Sequence, residues 1–364
     1  MGPFVIIFSN LGLGGIQKKI VDIANALTIH PQLKVYILLR KRGAFDLQDQ
    51  IENKNVTVLV QSQQTEWNIP FIFSFFILYQ LWKIKPVTVL TFLSPFSLPT
   101  IVSKILLCSP MRIVINEDHF TSGKISQYRY ALLNRIGTTL LYPRANTIIS
   151  PTVIAKKDLV HNFGVPEQNI LVIPNWTNLA NAPILKRKKL YDCVYSGRLV
   201  PQKRVGLLID AITQLRRHNK HISFCLLGQG EEETRLKALV AKRALRGNVH
   251  MEGAVHKVDD YVRSAKVFIC ASSYGAEGFP LAILEAMALG VPVLTRRFAG
   301  ASEVIVDGRN GLIADSKADF ASKLQALLAN QALRNKLAIQ AKKDVKNLYS
   351  QKNIIKYFHA LNLS

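Results

Sequence analysis

"FVIIFSNLGLGGIQKKIVDIANAL", residues 4–27, decides the fold. Apolar residues run directly into a glycine-rich loop, after which Ile16, Ile20, Ile23 and Leu27 recur at helical spacing. Strand, glycine turn and helix in that order make a β–loop–α unit of a parallel sheet. Working outward, "LKVYILLR" (33–40), "VTVLV" (56–60), "VTVLTFLS" (87–94) and "MRIVINEDHF" (111–120) read as further strands. "ANTIISPT" (145–152) reads as the last strand of this half and "NILVIPN" (169–175) as the exit from it.

The pattern breaks at "NWTNLANAPILKRKK" (175–189), polar and then basic, which suits a linker. A second alternating series follows. Its strands are "DCVYSGRL", "ISFCLLGQG", "VHMEG", "VFICASS" and "VPVLTR"; its helices are 205–217, 231–246 and the segment after Pro280. Two such series predict an α/β chain of two Rossmann-like, doubly wound domains facing a central cleft. The expected boundaries are 1–177, 178–345 and a basic C-terminal helix, 346–364, packing back toward the first domain.

The length of 364 residues suits two domains, and 49% hydrophobic residues exclude a disordered chain. Cys108, Cys193, Cys225 and Cys270 form no CxxC pair, so neither a disulfide framework nor a zinc site is indicated. The opening "MGPFVIIFSN" lacks a basic leader. "IPFIFSFFILYQLW" (69–82) falls short of the roughly 20 residues that cross a bilayer, and suits a buried helix or one lying in the membrane interface. Net charge is +23, with 17 Lys/Arg against 9 Asp/Glu in residues 1–177 and 30 against 15 in the remainder. That excess favours polyanionic partners. An anionic membrane surface fits better than nucleic acid, because no basic patch is interleaved with aromatics.

The chemistry concentrates in "SSYGAEGFPLAILEAMALGVPV" (272–293), where Glu285 is the only charged residue between Gly278 and Thr295. Pro280 suits a helix start and Gly290 its end, giving a helix from about 280 to 289. Glu277 then precedes the helix and Glu285 lies in its second turn, about 7 Å further along the axis. Between them the helix N-terminus offers an anion site. A sugar nucleotide has the matching order of groups: sugar hydroxyls, phosphates, ribose hydroxyls. Arg198 and Lys203 in "YSGRLVPQKRVGLL" follow a strand end, where two cations could hold a departing diphosphate. Gly12, Gly14 and Gly15 permit close backbone approach to a ligand, or simply a tight turn. His119 directly follows a strand and could meet a sugar hydroxyl, with Glu117 and Asp118 as candidates for orienting it. Gly228 and Val255 follow later strands and are candidate nucleobase contacts. The sequence holds no DxD, HExxH, GxSxG or P-loop, so no metal is expected.

Together these residues resemble the retaining nucleotide-sugar glycosyltransferases of family 4, which have the GT-B architecture. The likeness covers most of the chain and is strongest over 193–315 and in "FGVPEQNILVIPN". It rests on the E-x7-E pair Glu277/Glu285, on Arg198 and Lys203, on "GLGGIQ" and on His119. Arg204, where many relatives have glycine, and "FAGASE", without a double glycine, depart from it. The resemblance implies a metal-independent hexosyltransferase. Its donor site would comprise Gly14, Gly15, Arg198, Lys203, Gly228, Val255, Glu277, Gly278, Phe279, Leu281 and Glu285, and its chemistry would rest on His119, Glu277, Arg198 and Lys203. It implies no cofactor beyond the substrate, a UDP-sugar before a GDP-sugar. The acceptor would be a membrane-associated glycan or glycolipid, reached from the cytoplasmic face. A non-catalytic sugar-nucleotide binder or membrane scaffold, or a GT-B epimerase or phosphorylase, are the alternatives.

Overall fold

β-branched and aromatic residues alternate with glycine-ended turns through both halves, and each run becomes a strand of a parallel sheet. The computed structural model describes residues 2–12, 14–42, 46–62, 70–128, 130–183, 188–217, 220–273 and 277–363. Residue 69 of the apolar segment, residues 184–187 of the expected linker and residues 274–276 ahead of Glu277 lie outside them. The chain divides into Met1–Ile173 with Ile354–Ser364, and Pro174–Asn353.

The N-terminal unit holds strands β1 (Phe4–Phe8), β2 (Val35–Lys41), β3 (Val56–Ser62), β4 (Thr88–Phe92), β5 (Arg112–Asn116), β6 (Thr147–Ser150) and β7 (Ile170–Val172). Among the described residues they form one parallel sheet in the order β3-β2-β1-β4-β5-β6-β7. Its helices are α1 (Gly15–Ala26), α2 (Pro70–Ile84), α3 (Ser94–Leu106), α4 (Thr121–Ile125), α5 (Ala131–Leu141) and α6 (Val153–Phe163). The exit segment thus adds an edge strand, β7, which pairs with β6 from Ile148–Ile170 to Ser150–Val172.

The C-terminal unit holds β8 (Tyr191–Ser196), α7 (Val205–Arg216), β9 (Phe224–Leu227), α8 (Glu233–Lys242), β10 (Val249–Gly253), α9 (Val258–Arg263), β11 (Ala265–Cys270), α10 (Leu281–Ala288), β12 (Val293–Arg296), α11 (Ala299–Val304), β13 (Leu312–Ala314), α12 (Lys317–Ala329) and α13 (Gln331–Leu348). The strands order as β10-β9-β8-β11-β12-β13, all parallel. Two buried clusters cover the sheet. One packs Leu208, Ile212 and Leu324 around Tyr195; the other packs Leu284, Met287 and Phe298 around Phe268.

The C-terminal helical segment is not continuous. α13 ends at Leu348, and the Tyr349 carbonyl accepts the Thr177 N–H at 3.0 Å instead of continuing the helix. A last helix, α14 (Lys352–Leu361), then begins, and its residues from Ile354 onward belong to the N-terminal unit. Tyr357 is fully buried there, its hydroxyl donating to Asn116 Oδ1.

Candidate functional site

β11 delivers the site of the C-terminal unit. The strand ends at Cys270, and Ser272 and Ser273 follow at its C-terminal edge. Open parallel sheets bind ligands at that edge. Ser273 is tied to the loop after β8, its N–H donating to the Gln202 carbonyl at 2.8 Å. This brings the β11 and β8 loops together, and with them Lys203 and Glu277. Lys203 Nζ lies 2.6 Å from Glu277 Oε1, both side chains being about four-fifths buried. Ser272 Oγ donates to Glu277 Oε2 at 2.8 Å. The carboxylate is therefore fixed through both oxygens, by a cation and by a hydroxyl that is itself 1% exposed. Ser272 has no place in the sequence reading; its position just past a β-strand end was the available signal.

Charge at Glu277 reaches its neighbours. Burial pushes the Tyr195 phenol and the Cys270 thiol above their ordinary values, and the Glu277 carboxylate adds to both. Each stays protonated beside it, and Cys270 Sγ lies 3.6 Å from Ser272 Oγ.

α10 begins four residues after Glu277, at Leu281. Pro280 occupies the N-cap with φ −88° and ψ 82°, and no described side chain caps the helix. First-turn N–H groups without an intrahelical acceptor carry the positive end of the helix dipole. At the far end, Gly290 at φ 73° closes a Schellman turn: its N–H meets the Met287 carbonyl at 3.1 Å, and the Val291 N–H meets Ala286 at 3.0 Å. Glu285, half-buried, sits within α10. Arg198 is exposed in the loop after β8, where its carbonyl accepts the Tyr195 hydroxyl at 3.2 Å.

Several expected donor contacts have a packing explanation. A Cβ on Gly228 would lie 2.0 Å from the Gly197 carbonyl oxygen, and the Gly228 N–H already donates to Gly253 at 2.7 Å. The glycine lets two loops touch. Phe279 is a core side chain, its ring 5.8 Å from that of Tyr349, so only its backbone is left to meet a ligand. Leu281 and Val255 are half-buried against the same cluster. Gly278 closely approaches Gly300, whose Cβ would lie 2.6 Å from the Gly278 oxygen, so a single glycine in "FAGASE" suffices for that contact. Arg204 adopts the left-handed conformation, φ 48° and ψ 38°, ahead of α7.

In the N-terminal unit, Gly14 caps α1, Gly15 opens it, and both are exposed. His119 is half-buried just past β5. Glu117 and Asp118 have buried polar partners of their own. Tyr142 O–H donates to Glu117 Oε2 at 2.7 Å. Lys19 Nζ lies 2.5 Å from Asp118 Oδ1, and Asn116 Nδ2 donates to Asp118 Oδ2 at 2.7 Å. Burial pushes the Glu117 carboxyl up to about 8; the Tyr142 hydrogen bond opposes this, while Asp118 and Asp158 add to it. Among the described residues, no group of three or more His, Cys, Asp or Glu could hold a metal.

Two parallel-sheet units of this kind have the fold of the GT-B structures. Residues 179–344 match the family model described as Glycosyl transferases group 1. HepE of Anabaena, solved with UDP-glucose, has the same fold: TM-score 0.81 at 17% identity, over 99% of this chain and 100% of that one. In sequence the chain is similar to the poly(ribitol-phosphate) alpha-N-acetylglucosaminyltransferase of Staphylococcus aureus, 26% identical over 216 residues, 58% of this chain and 43% of that protein. It is also similar to the N-acetylgalactosamine-N,N'-diacetylbacillosaminyl-diphospho-undecaprenol 4-alpha-N-acetylgalactosaminyltransferase of Campylobacter jejuni, 28% identical over 242 residues, 64% of each. The matches span about half the length of the curated relatives.

Proposed function

We propose that the protein is a retaining glycosyltransferase of family 4. It moves a hexose or N-acetylhexosamine from a nucleotide-diphosphate sugar to a membrane-associated glycan or glycolipid, acting from the cytoplasmic face. The observation that carries this reading is Glu277, held through both oxygens by Ser272 and Lys203 at the start of α10. A carboxylate fixed in this way is pre-organised to accept hydrogen bonds from sugar hydroxyls. Lys203 has three N–H donors, one of them directed at Glu277, and with Arg198 it neutralises the diphosphate as the glycosidic bond breaks. Glu285 accepts from the ribose. The C1–O bond to phosphate breaks, the acceptor oxygen bonds C1 on the same face, and the acceptor proton passes to the departing phosphate oxygen. The UDP-glucose bound to HepE supports a UDP-sugar ahead of a GDP-sugar, and the acceptors named for the two bacterial relatives support a surface glycan or lipid-linked one.

Calorimetric titration of UDP, GDP and ADP against wild type and Glu285→Ala tests the reading. UDP is expected to bind wild type, and to bind the variant about tenfold or more weakly through loss of charged hydrogen bonds to the ribose. Failure of all three nucleotides to bind the folded wild type would overturn it.

A further inference from the structure

On the N-terminal unit, three helices present apolar side chains outward, where a solvated helix is ordinarily polar. α2 carries two apolar stripes. Phe73, Ile77 and Leu81, four residues apart, are buried and hold the helix to the unit. Ile72, Phe75, Tyr79 and Trp82, on the opposite side, are between 41% and 70% exposed. The segment "IPFIFSFFILYQLW" therefore suits both of its sequence-level alternatives, with one side in a core and the other at an interface.

The crossovers from β3 to β4, β4 to β5 and β5 to β6 all step the same way along the sheet. Right-handed crossovers then place α2, α3 and α5 side by side on one face. Phe73 of α2 meets Phe96 of α3 edge-on at 5.9 Å, and a Cβ on Gly137 of α5 would lie 3.0 Å from Leu98 of α3. α3 turns out Val102, Ile105 and Leu106. α5 is built inside out: Thr138 is fully buried, while Leu132, Leu133, Ile136 and Leu140 are 47% to 70% exposed.

Charge around this face has one sign. Residues 70–146 contain eight Lys/Arg against only Glu117 and Asp118, and both acids are buried. Lys83, Lys85, Arg135 and Arg144 are exposed. A second copy of the chain docked about a two-fold axis would set this cationic rim against itself. An anionic bilayer complements it and accepts the apolar side chains at the boundary between headgroups and acyl chains. Tyr79 and Trp82, rings 6.2 Å apart, have the amphipathic form favoured at headgroup depth.

We propose that the outward face of α2, α3 and α5 is a docking surface for an anionic lipid bilayer. Leu133, Ile136 and Phe75 enter the acyl boundary, and Lys83, Lys85 and Arg135 meet lipid phosphates. α14 buries its apolar side within the N-terminal unit through Tyr357, Phe358 and Leu361. No described helix is long and apolar enough to cross a membrane, so the contact is superficial. The proposal deepens the membrane-held acceptor of the transferase reading. Its test needs neither donor nor acceptor, so either can fail without the other.

The test is co-sedimentation of the full chain with phosphatidylglycerol-containing vesicles and with pure phosphatidylcholine vesicles, at low and high salt. Binding about a hundredfold tighter to the anionic vesicles is expected, lost as salt rises and reduced by Lys83→Glu/Lys85→Glu/Arg135→Glu. Leu133→Ser/Ile136→Ser should weaken binding by a further hundredfold, at two positions too exposed for the fold to need. Circular dichroism of each variant checks that fold. The emission of Trp82 should shift to the blue on binding, and Trp82→Phe should remove that shift. Equal affinity for neutral vesicles, or wild-type binding by the serine variant, overturns the proposal. So does lipid-free self-association that the serine variant abolishes, which would assign the face to a second copy.

Discussion

Glu117→Gln isolates a buried carboxyl whose charge the fold opposes. Glu117 is 2% exposed at the C-terminal end of β5, and its protonation shifts from about 4.5 in the open chain up to about 8 in the fold. Between those values the folded chain holds a proton that the unfolded chain has released. Stability therefore falls as pH rises through that window and levels off above it. The sign is opposite to that of a salt-bridged carboxylate. At 1.36 kcal/mol per unit, the loss from pH 5 to pH 7 is roughly 2.5 kcal/mol, and a further ~1.5 kcal/mol follows by pH 9. Glutamine has the same shape and keeps an oxygen for the Tyr142 hydroxyl, but has no proton to lose. Urea unfolding of wild type and variant at pH 5, 7 and 9 is the assay. The variant's advantage should grow with pH by roughly 4 kcal/mol across that range. Two parallel pH profiles, within about 0.5 kcal/mol of each other, would refute the reasoning and mean that Glu117 is ionised within the fold.

Two further outcomes are expected in the C-terminal unit. Ser272→Ala removes the hydroxyl that holds Glu277 Oε2 and should lower kcat by about tenfold or more, with the KM for donor changed less and Ser272→Thr restoring part of the rate. Equal kcat in the alanine variant would show that Lys203 alone positions the carboxylate. Arg204→Gly relieves a left-handed residue at φ 48° and should stabilise the protein by about 1 kcal/mol in urea titration, while UDP binding weakens through loss of a nearby cation. A destabilised variant would mean that the arginine side chain makes a contact outweighing the backbone strain.

The sequence by itself determined the two parallel sheets. Apolar runs ending in glycine turns at helix-length intervals leave few alternatives, and among the described residues twelve of the thirteen strands coincide with segments read as strands or, for β7, as the exit. Only β13, three residues long, went unread, because so short a run has no periodicity of its own and is held by pairing with β12. Glu277 was legible because a lone carboxylate beside an apolar helix has few structural uses, and Lys203 because it follows a strand end. What holds them was not legible. Lys203 reaches Glu277 only because the β11 and β8 strands are neighbours, an adjacency spanning some seventy residues of chain, and Ser272, five residues from Glu277 in sequence, turns back onto its other oxygen.

Tertiary structure alone also decided which glycines and aromatics face solvent and which serve packing. Gly228 makes room for the Gly197 carbonyl and Phe279 fills a core, neither of which can be read from the string. Likewise, only the fold brings Tyr142 to Glu117 and Lys19 of α1 to Asp118. The apolar face of α2, α3 and α5 is the clearest case. A helical period locates an apolar stripe without saying whether a core or solvent lies beyond it. Crossover handedness sets the three stripes side by side, and the sheet beneath them is already covered by Phe73, Ile77 and Thr138, so the remaining apolar side chains have only the outside to face.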